Sequence, residues 1–314
     1  MKNKRIVITG GAGFIGSNLA TALCKDNEVV ILDDISTGKS QNIDRLVKSE
    51  LVTLVKGDIT DIELLKRTFE GTEYVFHLAA IASVAESIEN PDLTTEVNLT
   101  GTMNVLIASK DKGVKKVVNT SSASVYGNLS TVPLTEDMQT YPESPYGAQK
   151  LGGEQYCRVF YEVYGIPSTS LRCFNVYGPN QDPGSEYSAV IPKFISDITK
   201  NIPPTIFGDG NQTRDFIFVE DVVQANILVA ENSASDGKVI NIACGKETSI
   251  NDLASKIIEL IGKDMRPIHA EEREGDIRRS IADISLAKKL LSFKPKFTLE
   301  DGLKITIEHF QAKS

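Results

Sequence analysis

"IVITGGAGFIGSNLA", Ile6 to Ala20, carries an apolar run into a glycine cluster and out again with helical spacing. Gly10, Gly13 and Gly16 fall where a strand-to-helix turn needs backbone freedom, close approach to an anion and close helix–strand contact. The first turn of the helix that follows offers unpaired N–H groups, which suit a pyrophosphate. A glycine pattern alone is a weak signal. Here it follows a strand, opens a helix and is answered by "ILDD", which ends the second apolar run at Asp33, twenty residues beyond Gly13. A carboxylate there can accept both ribose hydroxyls of adenosine and repel a 2′-phosphate, so the pattern reads as a dinucleotide site favouring NAD over NADP. "GDI" at 57–59 puts Asp58 at the end of a third run, within reach of an adenine amino group; a plain turn carboxylate is the competing reading.

Working outward, short apolar runs at 5–10, 28–34, 52–58, 73–80, 115–122, 168–178 and 238–245 read as strands. Several are apolar throughout, as strands covered on both faces are. Helical patterns at 14–25, 61–70, 94–113, 143–164, 219–231 and 249–262 lie between and after them. The alternation predicts an α/β chain: a Rossmann-type doubly wound parallel sheet with a smaller C-terminal α/β lobe. We expect a dinucleotide-binding domain over 1–178, with 212–245 returning to it, and a substrate lobe over 179–314. The boundary follows from "YGPNQDPGSEYS", dense in Gly, Pro, Asn and Asp, and a further helix is expected near 189–200.

The chain has 314 residues, is 41% hydrophobic and carries a formal net charge of −8. No basic face points to nucleic acid or an anionic membrane. Cys24, Cys157, Cys173 and Cys244 are scattered without metal-ligand spacing and read as buried thiols in a reducing compartment, so no metal is expected. The start, "MKNKRIVITGG", is too short an apolar run for a signal peptide or membrane span, and a cytoplasmic protein is expected.

The reacting group is sought beyond the carboxyl end of the fifth strand, "NTSSASVYG", where ligands of open α/β sheets sit. Some twenty residues later "SPYGAQK" places Tyr146 and Lys150 one helical turn apart. Free tyrosine, with a pKa near 10, is a poor base at neutral pH; the Lys150 charge and a nicotinamide cation would favour its phenolate. Ser122 is positioned to relay a proton or orient a substrate hydroxyl. His77, inside "YVFHLAA", reads as a satisfied buried histidine, and Glu154 as a charge facing solvent or cofactor.

"GGAGFIG", "LAA" (78–80), Asn98, "SSASVYG" and "YGAQK", in this order, resemble the extended short-chain dehydrogenase/reductase superfamily, and within it the nucleotide-sugar 4-epimerases. The resemblance implies a catalytic triad of Ser122, Tyr146 and Lys150. It implies an NAD site lined by Gly10, Gly13, Phe14, Ile15, Gly16, Asp33, Asp34, Ser36, Thr37, Gly38, Asp58, Ile59, Leu78, Ala79, Ala80, Asn98, Tyr146, Lys150 and Phe174. A UDP-sugar would meet Ser122, Tyr146, Asn175, Ala189, Val190, Phe207 (against uracil), Arg214, Arg273, Asp276 and Ser280. The implied chemistry is proton removal by Tyr146 from the sugar 4-OH, hydride transfer to NAD, rotation of the 4-keto sugar and hydride return to its other face.

Three further features bear on the substrate. The resemblance makes Ser280 a small residue where a bulky aromatic closes the sugar pocket in some relatives, which leaves room for an N-acetyl group. Asp182 would disfavour a uronic acid. The strand-five motif lacks the acidic residues of the dehydratase and decarboxylase cousins. UDP-glucuronate epimerisation, another nucleotide-sugar modification and a catalytically dead NAD(H) sensor are the alternatives. The long helices at 94–113 and 143–164 match a pair through which this family forms homodimers.

Overall fold

The computed structural model describes residues 1–182, 190–272 and 277–313. Seven parallel strands make the central sheet: β1 Arg5–Thr9, β2 Glu28–Asp33, β3 Val52–Lys56, β4 Tyr74–His77, β5 Lys116–Ser122, β6 Ser168–Cys173 and β7 Val239–Ile242. Their spatial order is β7-β6-β5-β4-β1-β2-β3, which reverses direction between β1 and β4. A crevice opens beyond the strand ends at such a reversal, and the glycine turn lies there. β7 comes from far along the chain and pairs in parallel with β6, Val239 opposite Ser170 and Ile242 opposite Cys173.

The strands read as continuous apolar runs because helices cover both faces. Ile6, Ile8, Ile31 and Leu19 are fully buried on one side, and Val7, Leu32, Val75 and Val117 on the other. Each such side chain contributes roughly 1.5–3 kcal/mol relative to exposure. α1 (Phe14–Leu23) follows the glycine turn; α2 (Gly101–Asp111) and α3 (Pro145–Tyr164) lie beside β4 and β5. α3 starts where its sequence dictates: Ser144 caps it by accepting the Gly147 N–H at 3.1 Å, Pro145 stands at the first position, and Gly165 ends it at φ +69°.

Two expected elements are broken. The helix read as 94–113 is a short α-helix Pro91–Thr95, a π-helical turn Glu96–Thr100 and then α2. The strand read as 168–178 stops at Cys173, because Asn175 takes φ +24° and turns the chain so that Val176–Tyr177 pairs with Ile217–Phe218 outside the main sheet. A second apolar cluster, with Phe194, Ile198, Phe218, Leu253, Ile257 and Leu303, packs the helices Val190–Thr199, Ile250–Ile261 and Leu299–Lys313. Ser249 caps the second of these helices through the Asp252 N–H at 3.0 Å.

Candidate active site

The glycine turn is built as its spacing requires. Gly10 sits at φ +70°, and a Cβ on Gly16 would lie 2.3 Å from the Gly10 carbonyl oxygen. Beside the turn, a cleft of about 220 Å³ is lined by Asp33, Asp34, Ser36, Thr37, Gly38, Asp58, Ile59 and Leu78–Ala80. Asp33 is 6% exposed, and its two oxygens accept the N–H groups of Ala12 (2.8 Å) and Ile35 (2.9 Å). It therefore braces the glycine turn, with a further lone pair on each oxygen for a ribose hydroxyl. Burial raises its pKa. Asp34 is bound to Ser36, and Asp58 forms an Asx turn with the Thr60 N–H at 2.8 Å, so the turn reading of Asp58 holds alongside its place on the wall.

This cleft shares Gly10, Gly13, Thr37, Gly38, Leu78 and Ala80 with a larger one of about 420 Å³, whose walls include Phe14, Ile15, Gly16, Ser122, Tyr146 and Lys150. The glycine cradle, a carboxylate at the adenosine end and a cation–phenol pair at the other end form a donor set that fits a dinucleotide. Tyr146, on the first turn of α3, is held by its backbone N–H donating to Ser87 Oγ at 3.0 Å. Lys150 Nζ donates to the Thr120 carbonyl at 2.9 Å and lies 5.8 Å from the Tyr146 ring centroid. Burial pushes Tyr146 up to about 12, although the Ser122 hydrogen bond works against it. Burial also pulls Lys150 down to about 8, against the pull of neighbouring Cys173, Cys157 and Glu154. With protein groups alone, Tyr146 therefore keeps its proton at neutral pH while Lys150 is largely charged. Further positive charge at the cleft is what brings the phenol toward ionisation.

Two residues expected on the cofactor wall lie elsewhere. Phe174 is 0% exposed and packs against Tyr126 in a separate cluster, on the side opposite Cys173, which lines the cleft. Asn98 is 2% exposed, and its amide is fully engaged: it accepts from Ile81 N–H (2.8 Å) and donates to Ile81 O (3.1 Å) and Gln149 Oε1 (2.8 Å). It fixes the loop after β4 instead of facing the cleft.

Next to the cleft of Tyr146 and Lys150, a cavity of about 210 Å³ shares Ser122, Cys173 and Asn175 with it and is lined by Ser124, Arg214 and Ser280. Ser280 is 6% exposed and stands opposite Arg214 in a parallel pairing, so it faces this cavity and not water. A further cavity of about 270 Å³ is lined by Asn175, Val190, Phe207, Arg214 and Phe216. Ala189, Arg273 and Asp276 lie outside the described residues. Asp182 is not an unopposed charge, since Lys39 pairs with it at 2.7 Å. The expected repulsion of a uronic acid by Asp182 is therefore blunted.

Sequence reasoning passed over several residues that assemble the site. Asp215 is fully buried and accepts N–H bonds from Cys244 (2.9 Å), Gly245 (2.9 Å) and Ala282 (3.2 Å), while its backbone oxygen takes Asn175 Nδ2 at 3.1 Å. Through its carboxylate and its backbone carbonyl, this one residue draws together the segments carrying Arg214, Asn175 and Ser280. In "RDF", 214–216, the aspartate beside Arg214 is the only sequence signal of this junction. Glu154, expected to face solvent or cofactor, is 1% exposed and bound to Arg172 and Ser121.

His77 is buried as its strand context predicts. Its Nδ1 lies 2.8 Å from Thr9 Oγ1 and its Nε2 2.8 Å from Thr102 Oγ1. Thr102 gives its own proton to the Asn98 carbonyl at 2.7 Å, so Nε2–H donates to Thr102 and Nδ1 accepts from Thr9. Burial, with the Lys150 charge, pulls His77 down to about 3. The unfolded chain protonates this ring near 6.5 and the folded chain refuses the proton until about 3. The resulting stabilisation, roughly 5 kcal/mol, is complete above pH 6.5 and is lost as pH falls toward 3. Asp215, raised to about 6 by burial, acts with the opposite sign between pH 4 and 6, so the comparison has to be made against a variant. The unfolding free-energy gap between wild type and His77→Gln should shrink steadily below pH 6.5; a constant gap from pH 7 to 4 would contradict a neutral buried ring.

The comparisons agree with this geometry. The family model described as NAD dependent epimerase/dehydratase family matches residues 6–243. A UDP-glucose 4-epimerase of Mycolicibacterium smegmatis is 39% identical over 99% of both chains. A UDP-glucuronate 4-epimerase of Thermodesulfobacterium geofontis is 37% identical, over 96% of this chain and 94% of that one. The solved UDP-N-acetylglucosamine 4-epimerase of Methanobrevibacter ruminantium M1, in complex with UDP-N-acetylmuramic acid, superposes with a TM-score of 0.96 at 43% identity over the whole of both chains. With the glycine turn, the Tyr146–Lys150 pair and the parallel sheet in place, the chain belongs to the NAD dependent epimerase/dehydratase family.

Proposed function

We propose that the protein is a UDP-hexose 4-epimerase that interconverts UDP-glucose and UDP-galactose, and also their N-acetylated counterparts, through a transient 4-keto sugar. The observation that carries this reading is the junction at Ser122, Cys173 and Asn175. There the cleft holding Tyr146 and the cavity holding Ser280 share a wall, so the base and the small residue address one space. The glycine turn and the 33–38 loop would hold NAD, whose chemistry would be that of a reversible hydride acceptor. Tyr146 takes the proton from the sugar 4-OH, Ser122 orients that hydroxyl, and the Lys150 charge lowers the cost of the phenolate. Arg214 and Asn175 hold the diphosphate side, with Phe207 against the uracil. The space beyond Ser122 lets the oxidised sugar present its other face.

The test is incubation of the purified protein, without added cofactor, with UDP-glucose, UDP-GlcNAc and UDP-glucuronate separately, resolving C4 epimers by chromatography. Conversion of the first two is expected. Ser280→Tyr should reduce UDP-GlcNAc conversion at least tenfold and leave UDP-glucose within about threefold, since a filled pocket discriminates by size. Equal loss on both sugars would remove the pocket argument, and conversion of UDP-glucuronate alone would replace the substrate.

A homodimer goes with this reading: Tyr156, Val159 and Val163 leave apolar side chains exposed along α3, one of the two helices through which the resembled family pairs.

A further inference from the structure

Behind the Tyr146–Lys150 pair, where α3 meets β5 and β6, lies an ion pair withdrawn from water. Glu154 is 1% exposed and Arg172 4% exposed. Arg172 donates from Nε to Glu154 Oε1 at 2.9 Å and from Nη2 to Oε2 at 2.8 Å, while Ser121 Oγ donates to Oε1 at 2.5 Å. The guanidinium also lies 4.6 Å from the Tyr126 ring centroid, and Tyr126 donates to Asn241 on β7 at 2.7 Å. Three successive residues at the end of β5 are thus fixed: Thr120 by Lys150, Ser121 by Glu154, and Ser122 by the Ser124 N–H at 3.2 Å.

A buried ion pair is a poor device for stability alone, since apolar residues of similar volume hold a fold as well or better. Its position suggests another use. We propose that Glu154 and Arg172 are positioning residues for the catalytic base, clamping the end of β5 to the catalytic helix and presenting it with a balanced pair of charges. An uncompensated charge one helical turn from Lys150, in a site this dry, acts strongly on both members of the base. The carboxylate by itself favours the lysine charge and opposes the phenolate; the guanidinium does the reverse. Together they leave the polarity of the base to Lys150 and the cofactor. The other titratable groups facing the base are Cys157 on α3, Cys173 on β6 and His77 on β4; Ser122 on β5 and Ser87 contribute hydroxyls. His77 is neutral in this range, and burial holds both thiols up to about 12, so none substitutes for the pair.

The proposal rests on Tyr146 and Lys150 as the base of the proposed function, but its test needs no sugar. Tyr146 phenolate is titrated by ultraviolet difference absorbance in the NAD-loaded protein, each background being measured against its own Tyr146→Phe blank. Glu154→Gln, which leaves Arg172 unopposed, should lower the midpoint by about one pH unit, and Arg172→Met should raise it by about as much. The double variant should return to within about 0.3 unit of wild type, by cancellation of the two. Midpoints that stay put, or move in the same direction, would overturn the proposal. Should the unpaired charges prevent folding, the swapped variant Glu154→Arg with Arg172→Glu keeps a pair and brings its positive end beside Lys150. Its midpoint should fall, and an unmoved one overturns the proposal equally. Shifting midpoints without sugar conversion would defeat the activity reading alone; sugar conversion with fixed midpoints would defeat this one alone.

Discussion

Tyr146→Phe should reduce sugar turnover by about a thousandfold, the usual scale for loss of a positioned base, while leaving the fold and bound NAD intact. The substitution removes one oxygen from a ring set by the capped first turn of α3, so the backbone that shapes the cleft is unchanged. Among the described residues no neighbour can take over the proton. Ser122 is an alcohol, Cys173 is held up to about 12 by burial, and His77 points its nitrogens at Thr9 and Thr102. Lys150, lowered to about 8, is already protonated at neutral pH and tied to the Thr120 carbonyl. The measurement is turnover of UDP-glucose per mole of bound NAD, compared at equal cofactor content. Wild-type turnover in the variant would remove Tyr146 from the chemistry; no turnover in either protein would bring the NAD(H)-sensor reading forward.

Gly16→Ala should abolish useful NAD binding, with at least a hundredfold loss in affinity, through a single methyl group. Its carbon would lie 2.3 Å from the Gly10 carbonyl oxygen and 2.8 Å from the Gly11 Cα. Both are backbone atoms, so relief requires moving the turn, and the turn is the anion site. Gly153→Ala on α3 is the matched control. Its new carbon meets Thr102 Cγ2 at 3.5 Å, an ordinary contact, and NAD affinity should stay near wild type. Calorimetric titration with NAD decides between them, and a wild-type affinity in Gly16→Ala would contradict the packing argument.

The parts of this architecture that were legible in the sequence are those written in short, regular spacings. Gly10, Gly13 and Gly16, the apolar strand runs and the four-residue step from Tyr146 to Lys150 each follow from local geometry. Parallel strands buried on both faces announce themselves because no polar face interrupts them. What stayed hidden depends on partners distant in sequence or on a single backbone angle. Glu154 gives no local sign that Arg172 awaits it on β6, so a buried carboxylate looks like a surface one. Asp215 looks like any charge in a loop until Cys244, Gly245 and Ala282 arrive from other segments. The strand's end after Cys173 depends on the φ of +24° at Asn175, and Phe174 lies off the cleft because Cys173 takes the cleft side and side chains alternate, neither of which "CFNVYG" reveals. The π turn at 96–100 was invisible for the same reason: its composition is that of an ordinary helix.

The late return of β7 to the outer side of β6 has a consequence for how such chains diversify. β6 is buried along its whole length, and β7 supplies the hydrogen bonds on its far side. A crossover between two relatives placed at the apparent boundary near Gly178 would therefore bring a foreign strand 239–242 against a native β6, and a foreign Asn241 against Tyr126. The C-terminal half is therefore not a module that can be exchanged whole; changes there have to be made residue by residue, inside a sheet that both halves of the chain complete.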